Sequence, residues 1–296
     1  MINALVILNF NSSNLCIKYI CSMSSYKVIN HIVVVDNASS EDERRILRDY
    51  CEKKHVHYIQ LKMNRGYASG NNVGVKYAIE ELQADVVIIS NPDIICPKDT
   101  VNAVLSRFYN NEDVAVITGL VHNFDNNHNS KIYPYYAYRV PSLKDMILNN
   151  FLLITKIRRS FLKTSMYYDV GSLKKIGEQY VECVSGCFFA IRSNAFVKIK
   201  GFDEDTFLYY EEAILGHKLK GEGYKILVLD YPVFHDEDPG KNKTLKKLWR
   251  THVTNQYSAK IYMKKYLSAG SLWLYIQSIS AIIGFAERLL YGFFKR

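Results

Sequence analysis

The sequence predicts an α/β fold in which helices flank a mainly parallel sheet. Two observations support this prediction. Short apolar runs typical of buried strands recur through the N-terminal third of the chain, and a helical pattern follows most of them. A helix between successive strands places the strands parallel and covers both faces of the sheet. The chain has 296 residues, of which 48% are hydrophobic. It can therefore bury the core of one large domain, or of a domain with an appendage.

Each element of the N-terminal part has its own signal. The first strand covers residues 4–8, and the polar cluster at 9–13 suits a turn and a helix cap. The second strand, 32–35, ends at Asp36. The next predicted elements are a charged helix at 41–54, a strand at 56–61, a helix at 66–81 that begins within the glycine-rich segment 64–74, a strand at 86–89, a helix at 98–110 and a strand at 114–118.

The strand at 86–89 stops at an Asn91-Pro92-Asp93 turn. Proline cannot continue a central strand, so Asp93 is expected at the carboxyl end of the strand, where ligands bind in open α/β sheets. A carboxylate with the Asn91 amide nearby suits Mg²⁺ or Mn²⁺, which prefer oxygen ligands. The alternative is that the turn only initiates a loop.

The pattern loosens between about residues 122 and 180, which we interpret as an insertion in a domain spanning 1–240. Apolar and basic residues mix over 143–166, as in a lid or a membrane-surface helix, although a helix packed on the core fits equally well. Order returns with a strand at 184–191, a helix beginning near Glu211 and running to about 220, and a strand at 226–229.

Residues 241–296 form a basic and aromatic C-terminal segment that we expect to be helical. The uncharged run at 269–286 is borderline for a membrane-spanning helix, which needs about 20 apolar residues. We favour a pair of interfacial helices, with Trp273, Tyr275 and the terminal Lys295 and Arg296 at the level of the lipid headgroups. A packed C-terminal helix of a soluble domain is the competing prediction.

Composition narrows the class of function. The formal net charge of +9 favours anionic partners such as nucleotide phosphates, nucleic acid or an acidic membrane. Six scattered cysteines form no CxxC pair, which argues against structural zinc and suggests reduced thiols in the cytoplasm. Neither a P-loop nor a GxGxxG dinucleotide fingerprint occurs.

Several motifs occur in an order that resembles family 2 glycosyltransferases with a GT-A fold, in particular their rhamnosyltransferase-like branch. They are Asn9-Phe10-Asn11, Val35-Asp36-Asn37-Ala38-Ser39, the segment from Asn64-Arg65-Gly66 to Gly74, Asn91-Pro92-Asp93, and the stretch from Gly201-Phe202-Asp203-Glu204 to Tyr209-Tyr210-Glu211-Glu212. The resemblance spans roughly residues 1–235. It implies a single displacement with inversion, and no covalent sugar–enzyme intermediate.

The resemblance implies a metal site and a base. Asp93 would hold Mg²⁺ or Mn²⁺ on the donor diphosphate, and His235 would be a further metal or phosphate ligand unless it is an ordinary loop histidine. Glu212 would remove the proton of the acceptor hydroxyl, with Glu211 or Asp203 as alternatives. The competing interpretation is that Glu211 and Glu212 only favour the helix dipole.

The resemblance also implies a binding site for the nucleotide sugar. Asp36 would contact the base or ribose, Arg65 the phosphates, and Gly66 and Gly70 would let the backbone approach the ligand, unless these glycines only form a tight turn. The complete predicted set is Asn9, Asn11, Asp36, Arg65, Gly66, Gly70, Asn71, Asn91 and Asp93.

The predicted function is transfer of rhamnose or another hexose, from dTDP-rhamnose or a UDP-hexose, to a lipid-linked saccharide acceptor. The product would be a surface polysaccharide such as O-antigen, and the enzyme would lie on the cytoplasmic face of the cell membrane. The alternatives are a nucleotidyltransferase that makes sugar nucleotides, and a non-catalytic membrane scaffold of a polysaccharide assembly complex. No nucleic-acid partner is expected, because no recognised binding module is present.

Overall fold

The computed structural model describes residues 1–124, 129–160, 166–236 and 244–294. Within these ranges the chain forms twelve strands and eleven α-helices. The strands are β1 (Asn3–Asn9), β2 (His31–Asp36), β3 (His57–Gln60), β4 (Val86–Ser90), β5 (Ile94–Ile95), β6 (Val114–Phe124), β7 (Ser130–Ile132), β8 (Ala137–Tyr138), β9 (Glu178–Val181), β10 (Cys183–Val184), β11 (Phe188–Arg192) and β12 (Lys225–His235). The helices are α1 (Ser13–Met23), α2 (Glu41–Lys54), α3 (Gly66–Glu80), α4 (Lys98–Ser106), α5 (Leu143–Leu148), α6 (Leu152–Ser160), α7 (Val170–Ile176), α8 (Ser193–Lys198), α9 (Glu211–Gly221), α10 (Leu245–Tyr266) and α11 (Ser271–Phe294).

The central sheet has the strand order β3-β2-β1-β4-β11-β6-β12-β5, with β7 on β6 and β9 on β12. Its first four strands are parallel, and β6 is parallel to β12. Strand β11 lies antiparallel between β4 and β6. The sheet is therefore mixed but mostly parallel, and helices flank it as predicted.

Helices cover both faces of the parallel part. On one face, α3 approaches β1 so closely that a Cβ atom at Gly70 would lie 2.4 Å from a Leu8 methyl, and one at Gly74 would lie 2.5 Å from Val6. On the other face, the hydroxyl of Tyr19 in α1 lies 2.8 Å from that of Ser90. Gly70 is thus explained by helix–sheet packing, and its predicted contact with a ligand is not needed to account for it.

The region of the predicted insertion is folded against the rest of the chain. It contains β7, β8, α5, α6, α7 and β9, and the expected helix over 143–166 is two short helices that turn at residues 149–151. Ser142 and Asp145 form a reciprocal capping box at the start of α5. Residues 161–165, at the end of the predicted helix, lie outside the described ranges.

The C-terminal helices pack on α5 and α9. Helix α10 contributes Ala259, Tyr262 and Met263 to an apolar cluster with Ala213 and Ile214 of α9. This packing corresponds to the competing prediction for α10, whereas α11 retains an exposed apolar face. The predicted boundary at 240/241 and the basic residues 295–296 fall outside the described residues. No helix among those described is both long enough and apolar enough to cross a bilayer.

Candidate active site

The first part of the site lies where β1 and β2 end side by side. Asn9 and Asp36 are register partners and are both buried. The Asp36 carboxylate accepts hydrogen bonds from the Asn9 amide (3.1 Å), the Ser39 hydroxyl (2.5 Å) and the Ser39 backbone N–H (3.1 Å). Asp36 therefore shapes the turn after β2, and no part of its side chain is open to a ligand in this conformation.

Asn11 ties the loop after β1 to the loop after β2. Its backbone N–H donates to the Ser39 hydroxyl and its side-chain oxygen accepts from the Ser40 N–H, both at 2.8 Å. The residue has a φ of 50°, a conformation that asparagine tolerates better than most residues. Asn9 and Asn11 thus join the end of β1 and the loop after it to the loop after β2, at the edge of the sheet.

The glycine-rich segment is held against the end of β2 by Asn37, a residue of the 35–39 motif that is not in the predicted binding set. Its amide donates to Asn64 Oδ1 (3.0 Å) and to the Gly66 carbonyl (3.1 Å). Arg65 is exposed and lies 3.7 Å from the Glu204 carboxylate. Its guanidinium is therefore accessible to an anionic ligand at this edge.

The backbone at position 66 accepts only glycine. Its φ is +88°, and a Cβ atom would lie 2.0 Å from the Phe207 carbonyl oxygen. The next residue, Tyr67, donates its N–H to that same carbonyl (3.0 Å) and its hydroxyl to the Gly186 carbonyl (2.6 Å). Gly66 and Tyr67 therefore bring the glycine-rich segment against the loop that precedes α9. Inside α3, Asn71 is buried and donates to the Tyr67 carbonyl (3.1 Å).

Asp93 and His235 lie together at the sheet edge. Strand β5 pairs with the end of β12, and Asp93 Oδ1 lies 3.4 Å from His235 Nε2, with both side chains partly buried. Among the described residues no group of three or more His, Cys, Asp or Glu side chains could hold a metal ion. A carboxylate oxygen and an imidazole nitrogen nevertheless fit Mn²⁺ or Mg²⁺ if a diphosphate and water complete the ligand set.

The acidic pair begins α9, after two residues in a strained backbone conformation. Tyr209 and Tyr210 have φ values of 75° and 69°, which residues other than glycine rarely adopt. They present Glu212 so that its Oε1 accepts the Gly186 backbone N–H at 3.1 Å. A Cβ atom at Gly186 would lie only 2.8 Å from that oxygen. The absence of a side chain at position 186 therefore makes room for the carboxylate.

The two glutamates have different surroundings. Glu211 is 4% exposed, and its Oε1 has no hydrogen-bond partner among the described residues. Burial, reinforced by the charge of Glu212, raises the pKa of Glu211 to about 8. Burial also raises the pKa of Glu212, while the Gly186 N–H opposes this shift by stabilising the anion. The pair therefore retains a proton at neutral pH, and the anion is better accommodated on Glu212.

The segment that follows β10, residues 185–187, contacts both Glu212 and the turn that carries Asp93. The Asn91 N–H donates to the Cys187 carbonyl (2.9 Å), next to the Gly186 N–H that binds Glu212. Burial raises the pKa of the Cys187 thiol to about 12, and the charges of Asp93 and Glu212 both contribute to this increase. Glu212 and the turn that carries Asp93, 119 positions apart in sequence, therefore meet at one short segment, residues 185–187.

Asp203 lies elsewhere and is tied to α10. Its carboxylate accepts from the Tyr266 hydroxyl (2.7 Å) and from Lys265 Nζ (3.1 Å). Although burial acts in the opposite direction, these hydrogen bonds and the Asp205 N–H lower the pKa of Asp203. Such a carboxylate is a weak base, so the geometry favours Glu212 over this alternative.

A family model described as glycosyl transferase family 2 matches residues 5–196, more than half of the chain. The chain belongs to glycosyl transferase family 2. The resemblance stated from the motifs is thereby confirmed, as is the enzyme class, glycosyltransferase. The matched range includes Asp36, Arg65 and Asp93, whereas Glu211, Glu212 and His235 lie beyond it.

Two curated relatives are similar over about two thirds of the chain. The low-salt glycan biosynthesis hexosyltransferase Agl10 of Haloferax volcanii is 25% identical over 203 residues, 67% of this chain and 56% of the relative. The rhamnosyltransferase WbbL of Escherichia coli is 26% identical over 211 residues, 69% of this chain and 70% of the relative. The chain thus spans just over half the length of the first relative.

Solved structures share the fold at low sequence identity. GalNAc-T7, solved with UDP, GalNAc and Mn²⁺, has a TM-score of 0.61 at 13% identity, over 99% of this chain and 57% of that one. The mannosyltransferase PcManGT from Pyrobaculum calidifontis, in complex with GDP-Man and Mn²⁺, has a TM-score of 0.55 at 14% identity, over 98% of this chain and 79% of that one. These similarities show that the fold is GT-A-like.

Proposed function

We propose that this protein is an inverting, metal-dependent glycosyltransferase. It moves rhamnose or another hexose from a nucleoside-diphosphate sugar, dTDP-rhamnose or a UDP-hexose, to a lipid-linked saccharide during synthesis of a surface polysaccharide such as O-antigen. One observation carries the proposal: the Gly186 N–H binds Glu212, and the adjacent Cys187 carbonyl binds the turn that carries Asp93, through the Asn91 N–H. Asp93 is thus available to bind a cation, and Glu212 is available to accept the proton of an incoming hydroxyl.

Glu212 is the proposed general base. Because Glu211, with a pKa of about 8, keeps its proton at pH 7, the negative charge of the pair rests on Glu212. The Gly186 N–H orients one oxygen of Glu212. The carboxylate is then able to accept the proton of the acceptor hydroxyl as that oxygen attacks the anomeric carbon.

The donor side of the site would hold the nucleotide sugar. Asp93 and His235 would be the protein ligands of Mn²⁺ or Mg²⁺, a Lewis acid that stabilises the negative charge of the departing diphosphate. Arg65 is exposed beside the same edge and would donate to phosphate oxygens. Support for such donors comes from the relatives: WbbL is a rhamnosyltransferase, and the structural neighbours were solved with UDP or GDP-Man and Mn²⁺.

The exposed surface of the C-terminal helices supports the proposal that the enzyme acts at the cytoplasmic face of a membrane. Helix α11 exposes Leu272, Tyr275, Ile282 and Leu290, each by 60% or more. A basic chain with such an apolar helix face suits a surface of anionic lipids. The proposed acceptor, which carries a lipid, is found at such a surface.

The direct test is to measure nucleoside diphosphate release from a panel of nucleotide sugars, with Mg²⁺ or Mn²⁺ and lipid-linked saccharides present. Glu212→Gln should lower kcat by about 10²–10⁴-fold, the range for loss of a general base. Nucleotide binding, measured by calorimetry, should be unchanged because Glu212 does not hold the donor.

The matched control is Glu222→Gln, just past the other end of α9, where the glutamate pairs with Lys198 on the surface. It should keep wild-type turnover. Full activity in Glu212→Gln would contradict the assignment of the base. Release of pyrophosphate from a nucleoside triphosphate and a sugar phosphate would instead indicate a nucleotidyltransferase, and a bound donor with no turnover would favour a scaffold.

A further inference from the structure

A cavity of about 570 Å³ opens on the side of Glu212 where neither Asp36, Arg65 nor Asp93 contributes to the wall. Its volume is within the range of small-molecule sites, about 300–1,000 Å³. Its walls come from the 133–138 segment, α5, the loop before α9, α10 and α11. The last three of these lie beyond residues 5–196, the part that matches the family.

The lining of the cavity is aromatic on one side. Six of the described lining residues are tyrosines, namely Tyr133, Tyr135, Tyr138, Tyr167, Tyr209 and Tyr210. The rings of Tyr135 and Tyr167 lie 4.5 Å apart, and Tyr133 meets Tyr135 edge-on at 5.6 Å. A tyrosine presents an apolar face and a hydroxyl, so these rings suit a ligand that has both C–H faces and polar edges.

The C-terminal helices supply the polar side of the cavity. His252, Asn255 and Gln256 of α10 and Arg288 of α11 are part of the lining. Arg288 donates to the Asn149 carbonyl at 3.1 Å, and the His252 ring packs against Phe285 at 4.6 Å. The lining thus combines amide, imidazole and guanidinium groups, which donate to and accept from hydroxyl groups.

This wall is fixed by packing between α11 and the turn that joins α5 to α6. Asn150 is buried and donates to the Gln277 side chain (3.2 Å) and the Ser280 hydroxyl (2.8 Å). A Cβ atom at Gly284 would lie 2.0 Å from the Asn150 carbonyl oxygen. Glu287 accepts the free N–H groups of Leu152 and Leu153 at the start of α6 (2.7 and 2.8 Å). The cavity is therefore preformed by contacts that do not involve the ligand.

We infer that this cavity binds the saccharide end of the acceptor, and that α10 and α11 determine which acceptor is used. Pyranose rings have C–H faces that stack on aromatic rings and hydroxyl edges that bind amides, which is the combination in the wall. Because Glu212 lines the same cavity, a bound sugar presents a hydroxyl to the proposed base. The inference rests on the proposed function and adds the acceptor site to it.

The test compares Tyr135→Ala and Asn255→Ala, one from each wall, in assays of nucleoside diphosphate release. The acceptor probes are lipid-linked mono- and disaccharides and the corresponding free methyl glycosides. Each substitution should raise the KM for the acceptor about tenfold, the effect of losing one stacking or hydrogen-bonding contact, while the KM for the donor stays at the wild-type value. An increase with both kinds of probe assigns the effect to the sugar and not to the lipid.

Tyr180→Ala on β9 and Lys260→Ala on the exposed side of α10 are the matched controls, since neither residue lines the cavity. Thermal unfolding checks that all four variants are folded. An acceptor KM within about twofold of wild type in both cavity variants would overturn the inference while leaving the proposed function intact. Failure of the wild-type protein to turn over any donor and acceptor pair would overturn both.

Discussion

At the scale of single residues, the adjacent glutamates show how the fold separates two identical side chains. Glu211 is enclosed, and one of its oxygens has no hydrogen-bond partner in the described part of the chain, whereas Glu212 faces the cavity and is held by the Gly186 N–H. A buried carboxyl that keeps its proton leaves its neighbour free to carry the charge. The two glutamates differ in their surroundings because of Tyr209 and Tyr210. The left-handed backbone of these two residues directs the start of α9 toward the candidate site.

The raised pKa of Glu211 predicts that stability depends on pH. The unfolded chain loses this proton near pH 4.5, whereas the folded protein keeps it until about pH 8. The contribution to stability is therefore fully present below pH 4.5 and is lost as the pH rises to about 8, with a slope of up to about 1.4 kcal/mol per pH unit. Glu211→Gln, which is neutral at every pH, should flatten this slope.

Chemical denaturation between pH 5 and 8.5 measures the effect. The control Glu222→Gln changes an exposed surface carboxylate and should keep the wild-type slope. Equal slopes in wild type and Glu211→Gln would show that Glu211 is already ionised at neutral pH.

At the scale of secondary-structure elements, the sequence predicted those whose signals are local. Helix α2 was expected at 41–54 and is found at Glu41–Lys54, and Asp93 was expected to follow the strand now seen as β4. The insertion of β11 between β4 and β6 was not predicted, because strand pairing is a long-range property. The same holds for the β5–β12 pairing that brings His235 to Asp93, although both residues had been selected.

The cavity residues were missed for a related reason. Tyr135, Asn255 and Arg288 belong to segments in which no motif was recognised, and only the folded chain brings them to one wall. The available signal was the cluster of four tyrosines within residues 133–138, and nothing in the sequence connects that cluster to Glu212. Local patterns therefore selected Asp93, His235 and the acidic pair as candidates, but not the residues that line the cavity beside Glu212.

The contact between α11 and the α5–α6 turn gives a prediction about elements. Gly284→Ala places a methyl group against the Asn150 backbone, which cannot rotate away as a flexible side chain would. We expect a loss of about 1–3 kcal/mol in the free energy of unfolding, as for other overpacked sites.

The measurement is urea denaturation, with Gly221→Ala as the control. A Cβ atom at Gly221 meets nothing within 4 Å, so this substitution should be neutral or stabilise by less than about 1 kcal/mol. Unchanged stability in Gly284→Ala would mean that α11 and the α5–α6 turn are not in this close contact in solution.

At the scale of the whole molecule, basic and apolar groups are exposed together on the C-terminal helices. Leu245, Trp249, Val253 and Tyr257 recur every four residues along α10 and are all exposed. Trp249 meets Phe285 of α11 at 5.4 Å, so this stripe adjoins the second helix. A surface of this kind predicts reversible binding to anionic lipid, driven by apolar burial and weakened by salt.

Co-sedimentation with vesicles of mixed neutral and anionic lipid tests this prediction. Ile282→Glu, on the exposed face of α11, should reduce the bound fraction several-fold, because it places a negative charge against anionic headgroups. Val197→Glu is the matched control, since Val197 is equally exposed on α8. Wild-type protein that stays in the supernatant at low salt would contradict the membrane proposal.

The attachment of the loop before α9 to α10 bears on when the enzyme becomes competent during its synthesis. Ser258 binds the Leu208 carbonyl, the Tyr210 ring stacks on Tyr262, and Tyr266 binds Asp203. A ribosome makes the glutamates well before residues 258–266 that brace them. A nascent chain can thus complete its sheet while the loop before α9 is still unsupported, and we expect sugar transfer to begin only after α10 has left the exit tunnel.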